Sequence, residues 1–469
     1  MMLHGRKQWT VMILCAAFLL AAAGTGSPAR AYVTHTVREG DSLGLIAAHY
    51  LPYTDSYTRE ELINDIKALN TLRSGMLSIG QTLTIPVVRN EPVRATSRTK
   101  TKDFAARGIY VNEQNAGTGR IFDLTRRLRS SGENTVVVDV KEVKGTLAYS
   151  SSIPGVFASV SSCPYSIGDI SKLIDHLHKM DMHVVARVCV FRDRLMASSM
   201  EGWRYNEEWV DPANEDVQQY HLALIRELIS LGVDEIQLDY FRYPADGRTD
   251  TGVEGKDRSD VIAEYLAQIH DLTSASNVLL SLDMFGIVIW QRSMDVRVLG
   301  QDVQKIVNHI DIISPMLYPS HFGKDFDGIP NPADEPYYFV REGVQRLKNI
   351  VGDRVAIRPW LQSFPLRITS GFDPEYIRCQ IDAAQDAGAT GWLLWSPGNR
   401  YDEAFAALED MHVAKMAEKA AIQEEGQSGS VQGSDANWHF DNCLTPGFPG
   451  QLSHPVYGPT VREVEIPFR

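Results

Sequence analysis

The stretch Gly-Val-Asp-Glu-Ile-Gln-Leu-Asp-Tyr-Phe-Arg-Tyr-Pro, Gly232 to Pro244, decides how the rest of the chain is read. It follows an amphipathic run and has the length of a short buried strand, with Ile236 and Leu238 alternating with Gln237 and Asp239. A strand that only fills a core is mostly apolar. Here Glu235, Gln237 and Asp239 share one face, and Asp239 and Arg242 fall at the carboxyl end. Burying a carboxylate without a partner is unfavourable. Two explanations fit the stretch alone: a structural ion pair between Asp239 and Arg242, or a reaction centre at the top of a barrel strand.

Outward from this stretch, short apolar runs alternate with helical patterns from Arg107 onward, as in parallel βα units. The runs are Gly108–Asn112, Thr135–Lys141, His183–Phe191, Glu235–Phe241, Val278–Phe285, Ile310–Leu317, Val355–Leu361 and Gly391–Trp395. Helical patterns fall between them, among them Ile170–Lys179, Asp216–Leu231, Ser259–Leu272 and Pro336–Asn349, with Asp169 and Asp373-Pro374 as start signals. Eight such units predict a (β/α)8 TIM barrel over residues 105–420. No Gly-rich phosphate loop follows the first strand, since Gly117-Thr118-Gly119 is too short, so no dinucleotide site and no cofactor are predicted.

Chemistry in such a barrel sits at the carboxyl ends of the strands. In chain order those ends supply Asn112 and Glu113, then Asp139, Lys141 and Glu142, then Arg187, Arg192 and Asp193. Asp239 and Arg242 follow, then Asp283, Tyr318 and His321, then Arg358, Trp360 and Gln362, and finally Trp395 and Asn399. Charged and aromatic groups on nearly every strand end define a site. The isolated Asp239–Arg242 pair becomes the weaker explanation.

The whole chain has 469 residues and a formal net charge of −13, a poor match to nucleic acid. Its N-terminus reads as an export signal over residues 1–31: Arg6 and Lys7, an apolar run from Val11 to Ala23, then Ala29-Arg30-Ala31 before Tyr32. The run is short for a transmembrane helix, so no stable span is expected after cleavage. Cleavage would leave Cys163, Cys189, Cys379 and Cys443, without metal-like or redox-motif spacing but compatible with one disulfide of unassigned pairing.

A small β-α-α-β unit occupies residues 33–87, with Val-Arg-Glu-Gly-Asp-Ser-Leu at its start and Ile-Gly-Gln-Thr-Leu-Thr-Ile-Pro at its end. Both motifs resemble the LysM family, whose members bind N-acetylglucosamine-containing chains such as peptidoglycan or chitin. The insert Leu51–Glu61 lengthens the middle of the unit beyond the family's usual pattern. Residues 88–104, with Arg94, Arg98, Lys100 and Lys102, read as a polar, basic, solvated linker. Residues 421–469 read as a tail that is Gly/Ser-rich at first.

The large domain resembles a bacterial family of TIM-barrel proteins assigned as glycoside hydrolases. The likeness rests on Trp209-Val210-Asp211-Pro212, on the Gly232–Pro244 stretch and on Ser281-Leu282-Asp283-Met284-Phe285-Gly286. Ile313 to His321 and Leu393-Leu394-Trp395-Ser396 extend it. That family is distantly similar to the α-amylase group, whose fourth strand carries a nucleophilic aspartate with a polar residue two positions before it. Asp239 and Gln237 occupy those places, whereas Asp283 stands where that group has a glutamate.

Glycoside hydrolysis uses two carboxyl groups. Adjacent strands lie about 5 Å apart, which suits the ~5–5.5 Å carboxyl separation of a retaining enzyme. The expectation is Asp239 as nucleophile and Asp283 as general acid/base. Asp139 is a rival partner that would favour inversion, or a structural ion pair held by Lys141 and Arg187. Arg242 would orient a carboxylate or sugar. Tyr318, Trp360 and Trp395 are platforms on which sugars stack, or core. His321 would hydrogen-bond a sugar hydroxyl; it lacks partners at metal-ligand spacing, so no metal is predicted. The chain therefore reads as a secreted, wall- or envelope-associated bacterial glycosidase. The alternatives are a catalytically silent glycan-binding barrel and an envelope or spore structural protein.

Overall fold

A computed structural model describes residues 32–86, 91–153, 165–245, 256–290 and 293–427. The expected leader, the segment around Cys163 and all but the first few residues of the tail lie outside them. The first module consists of β1 (Tyr32–Thr36), α1 (Leu43–Tyr50), α2 (Arg59–Leu69) and β2 (Thr82–Pro86). Its strands pair antiparallel, with His35 opposite Leu83. Ser42 caps α1, and Thr58 with Glu61 forms a reciprocal capping box on α2. The Asn70 side chain then ties the end of α2 to β2, accepting from Thr84 N at 2.7 Å and donating to Thr84 O at 2.8 Å. Leu43, Ile46, Leu62, Ile66, Leu83 and Ile85 fill the small core between helices and ribbon.

The large domain begins with β3 (Ala106–Val111), α3 (Glu113–Ala116), α4 (Arg120–Ser130), β4 (Thr135–Lys141) and α5 (Ile170–Lys179). Next come β5 (His183–Cys189), α6 (Arg194–Ser199), α7 (Glu215–Ser230), β6 (Glu235–Asp239) and α8 (Arg258–Ala275). Then follow β7 (Leu279–Phe285), α9 (Ser293–Leu299), α10 (Val303–Ile306), β8 (Ile312–Met316) and α11 (Pro336–Val351). The domain ends with β9 (Ala356–Ile357), β10 (Trp360–Gln362), α12 (Pro374–Asp386), β11 (Gly391–Trp395) and α13 (Asp402–Gln427). All neighbours from β3 to β11 run parallel, and β11 returns to β3 with Gly391 opposite Ala106, which closes the barrel. The fold is a (β/α)8 TIM barrel, as the alternation predicts.

Two boundaries differ from the sequence reading for physical reasons. The run Val355–Leu361 is two strands, β9 and β10, separated at Arg358-Pro359; proline has no N–H to give the ladder. The run from Glu235 stops at Asp239 because Tyr240 turns into the left-handed region, with φ +50°. Asp169 and Asp373 cap α5 and α12, as expected from the sequence. The main core lies between strands and helices, where Val136, Val138, Ile236 and Leu238 meet Leu173, Ile225 and Leu266.

The basic segment is not a solvated spacer over its described part. Val93 is buried, Arg98 N donates to Asp234 Oδ1 at 2.6 Å, and Lys102 Nζ reaches the carbonyls of Asp353 and Arg354, each at 2.8 Å. Gly232, at φ +93°, lies so close beneath this strap that a Cβ would stand 2.5 Å from Ala95 C. Polar groups at the amino ends of the strands supply partners that a composition reading does not see.

The insert Leu51–Glu61 mounts the first module on the barrel. Lys172, on α5, is fully buried, and its ammonium donates to the carbonyls of Leu51, Thr54 and Ser56, the last two at 2.8 Å. Tyr57 is buried beside it, donates to Ala116 O at 2.5 Å and meets Phe122 edge-on at 4.9 Å. Cys379 is disulfide-bonded, and Cys189 is a buried free thiol. Among the described residues no helix is long and apolar enough to cross a membrane.

Candidate active site

The carboxyl ends of the strands open into a cavity of about 1530 Å³. Its floor is set by register: Asp139 on β4 lies opposite Arg187 on β5, and Cys189 on β5 lies opposite Asp239 on β6. Leu238 pairs with Leu282, which places Asp283 on β7 beside Asp239. Three carboxyl groups thus surround one guanidinium.

Arg187 organises them. Its Nη1 donates to Asp139 Oδ1, while its Nε and Nη2 both donate to Asp239 Oδ2, at 3.1 and 2.5 Å. Asp239 Oδ1 accepts from Tyr240 N at 2.6 Å, a bond made by the left-handed turn at Tyr240. Strained non-glycine backbone of this type persists where surrounding structure enforces it. Asp283 is served differently. Its Oδ1 accepts from the indole N–H of Trp360 at 2.7 Å, and its Oδ2 stands 3.9 Å from Arg187 Nε, beyond hydrogen-bond reach.

The electrostatics follow from this unequal sharing. Burial, and then the charge of Asp239, push the Asp283 carboxyl well above the ordinary range, in the direction that favours its protonated form. Burial raises Asp139 to about 6 against the opposing pull of Arg187, and the Tyr110 hydroxyl donates to its Oδ2. Arg187 stays charged because Asp139 and Asp239 outweigh its burial. Its guanidinium also lies 4.9 Å from the centre of the Trp395 ring, and that ring stacks on Tyr110 at 3.9 Å.

Of the residues singled out from the sequence, Asp139, Arg187, Asp239, Asp283, Arg242, Tyr318, His321, Trp360 and Trp395 all line the cavity. Two do not. Lys141 is turned away and fully buried, paired with Asp193 at 2.7 Å and bonded to Cys189 O at 2.8 Å. Gln237 is wholly buried inside the barrel, with Ser314 Oγ 3.5 Å from its Nε2. Strand alternation explains both: Gln237 is one inward step below Asp239, and the register shifts between Asp139 and Lys141.

Three other readings change. Arg358 does not reach the rim; it is fully buried at the amino end, where its Nη1 donates to both oxygens of Glu235 at 2.9 Å. Arg242 lies over the rings of Trp209 and Phe285, at 4.9 and 5.2 Å, and donates to Tyr243 O. Asp239 takes its guanidinium from Arg187 instead. The Asn112 side chain caps α3 and, with Asn399, pins the chain ends of the barrel together. Tyr110, which holds Asp139, was missed, although it shares the strand phase of Gly108 and Asn112. Among the described residues no cluster of His, Cys, Asp and Glu is arranged to hold a metal ion.

Comparisons with known proteins bear on the family and the fold. A family model described as "Putative glycosyl hydrolase domain" matches residues 108–401, and the LysM domain model matches residues 35–86. Among solved structures, the glycoside hydrolase domain of PgaB (BpsB) from Bordetella bronchiseptica is 12% identical, at a TM-score of 0.50. The match covers 65% of this chain and 98% of that one, and shows the fold. A hypothetical protein from Ruminiclostridium thermocellum ATCC 27405 is 26% identical over 37% of this chain and 96% of its own, at a TM-score of 0.34. No curated protein matches. With the family model spanning most of its length, the chain belongs to the family described as "Putative glycosyl hydrolase domain", with a LysM domain ahead of the barrel.

Proposed function

We propose that the barrel hydrolyses glycosidic bonds of a wall or extracellular polysaccharide, with retention of configuration, while the LysM module holds the enzyme on glycan. The observation that carries this reading is the inequality of two neighbouring carboxyl groups. Asp239 accepts two hydrogen bonds from the Arg187 guanidinium, whereas Asp283 accepts one from the Trp360 indole and stands 3.9 Å from Arg187, and burial beside Asp239 favours its protonated form.

In the first step Asp283 gives its proton to the glycosidic oxygen as the bond to the anomeric carbon breaks. Asp239 attacks that carbon and forms a glycosyl ester. In the second step Asp283, now a carboxylate, takes a proton from water, and the resulting hydroxyl displaces Asp239. Arg187 and Tyr110 hold the floor in register; Trp395, Trp360 and Tyr318 offer ring faces to the sugar. Export through the leader would place this chemistry at the wall or envelope.

One observation favours a second reading. Both oxygens of Asp239 are already engaged, by Arg187 and by Tyr240 N, which suits a barrel that binds glycan without cleaving it. Incubation of the full chain with labelled wall polysaccharides separates the two. Release of reducing ends by the wild type and none by Asp239→Asn supports hydrolysis. Retained binding with no release from any glycan supports the silent barrel. The anomer that appears first, followed by NMR, decides retention against inversion through Asp139.

A further inference from the structure

The charge of the cleft runs against the charge of the chain. Overall Asp and Glu outnumber Lys and Arg by 59 to 46, yet the cavity lining holds seven Lys/Arg against four Asp/Glu. Three of those four acids are the floor carboxyls around Arg187. Among the described residues, the charged side chains of the lining above the floor are six Lys/Arg and Glu142, and the cations stand on two opposite walls.

One wall follows β4, β5 and β6 and carries Lys144, Arg192, Arg194 and Arg242. Glu208 pairs with both Arg192, at 2.7 Å, and Arg194, so one carboxylate is shared between two guanidinium groups. Lys144 lies 3.8 Å from Glu142, with its side chain 60% exposed. The other wall follows β8 and β10. There Lys324 and Arg367 are exposed on the cleft, and Arg367 Nη1 donates to the carbonyl of Ser320 at 3.1 Å. Arg367 is held in the left-handed region, φ +58°, an unusual conformation for a side chain of this size. Beside it, Ser320 Oγ and His321 Nδ1 are buried with no hydrogen-bond partner among the described residues. Burial, and then the Arg367 charge, bring His321 down to about 4, so it meets a ligand as a neutral ring.

A cleft whose walls carry cations attracts and orients anions. We propose that the cleft takes a polysaccharide whose repeat unit carries an anionic group, carboxylate or phosphate, with such groups bound on both sides of the scissile bond. The proposal rests on the glycosidase reading for cleavage, but its binding half is independent of that reading.

The test uses the full chain carrying Asp239→Asn, or Asp283→Asn should the first variant melt early, so that binding is read without turnover. Binding is measured to polygalacturonate and to its carboxyl-reduced counterpart, and to a wall glycan with and without its attached phosphate polymer. The two pairs distinguish the carboxylate source from the phosphate source. The expected preference for one charged form is about tenfold, which equals one decade in Kd. That preference should fall away in 0.5 M salt, where screening is within about 4 Å, and in the double variant Lys324→Glu, Arg367→Glu. The LysM contribution is common to both proteins and cancels in their comparison. Equal binding of charged and uncharged polymers, or a preference untouched by the double variant, overturns the proposal. If the charged polymer is preferred while the wild type releases no reducing ends from it or from any other glycan tested, the glycosidase reading fails and the anion site stands.

Discussion

Two buried charge clusters occupy opposite ends of the same strands, and they differ in stoichiometry. At the amino end Glu235 is alone between Arg358, which donates to both its oxygens, and His183, 2.9 Å away. Burial opposes its charge, but Arg358 and then His183 prevail and bring Glu235 down to about 2. At the carboxyl end three carboxyls share the single guanidinium of Arg187, and Asp283 is driven to keep a proton. Glu235 and Asp239 lie on one strand, β6, four residues apart on one face. One acid per guanidinium makes a structural pair; three acids per guanidinium leave a proton that chemistry can use.

The strongest way to break this contrast is at Asp239. Asp239→Asn should lower turnover about 10⁴-fold, the scale on which loss of a covalent nucleophile is felt. The fold should survive, because Arg187 keeps Asp139. Turnover by Asp239→Asn close to that of the wild type would move the chemistry elsewhere.

Glu235→Gln should do the reverse. It leaves Arg358 buried without its carboxylate, a loss of about 3–5 kcal/mol for one partner of a buried pair. Denaturant melts should show it, while activity per folded molecule stays near wild type. Replacing both members, Glu235→Leu with Arg358→Met, should recover most of that loss, since an apolar pair of similar volume is often neutral. A large fall in turnover per folded Glu235→Gln molecule would show that the two ends are not separate.

pH sharpens the comparison because the two clusters respond with opposite sign. Glu235 has a lowered pKa, so its stabilisation is present above the ordinary glutamate value and is lost as pH falls toward about 2. Asp283 has a raised pKa, so the folded state holds a proton that the unfolded state releases. Its contribution is present below the ordinary aspartate value and is lost as pH rises through the raised one. Asp283→Asn should therefore raise Tm at pH 7 to 8, with a gain that shrinks toward pH 4, while the alkaline limb of the wild-type rate profile disappears. A lower Tm at pH 8 would mean that Asp283 is an ionised structural group.

Sequence patterning was enough for the barrel because eight apolar runs with intervening helices admit few closed arrangements, and the family resemblance pointed the same way. It was enough for the floor acids because strand ends converge. It failed where the partner is distant in sequence. Arg358 was placed at the rim because the break at Pro359 hid which half of the strand it belongs to. Lys141 was grouped with Asp139, although the register shift turns it to Asp193. The strap residues Arg98 and Lys102 were read as solvated because their partners, Asp234 and the carbonyls at 353–354, lie more than a hundred residues away.

Lys172 supplies a third kind of buried charge, one met by main-chain carbonyls, and it gives the mildest prediction. Its ammonium bonds three carbonyls of the LysM insert, so the unusual length of that module becomes a mount on α5. Lys172→Met keeps the aliphatic stem but takes this donor from the carbonyls of Thr54 and Ser56, at about 1–3 kcal/mol if they stay buried, while Leu51 O still accepts from Thr54 N and Oγ1. Tyr57 would still anchor the insert through Ala116 and Phe122. Calorimetry should then resolve a LysM transition below that of the barrel where the wild type shows one, with the Asp239-dependent activity unchanged on a small soluble substrate. A single unshifted transition would mean that Tyr57 and the strap hold the module without the lysine. The contrast would then narrow to the two ends of the barrel, where charge is met by charge.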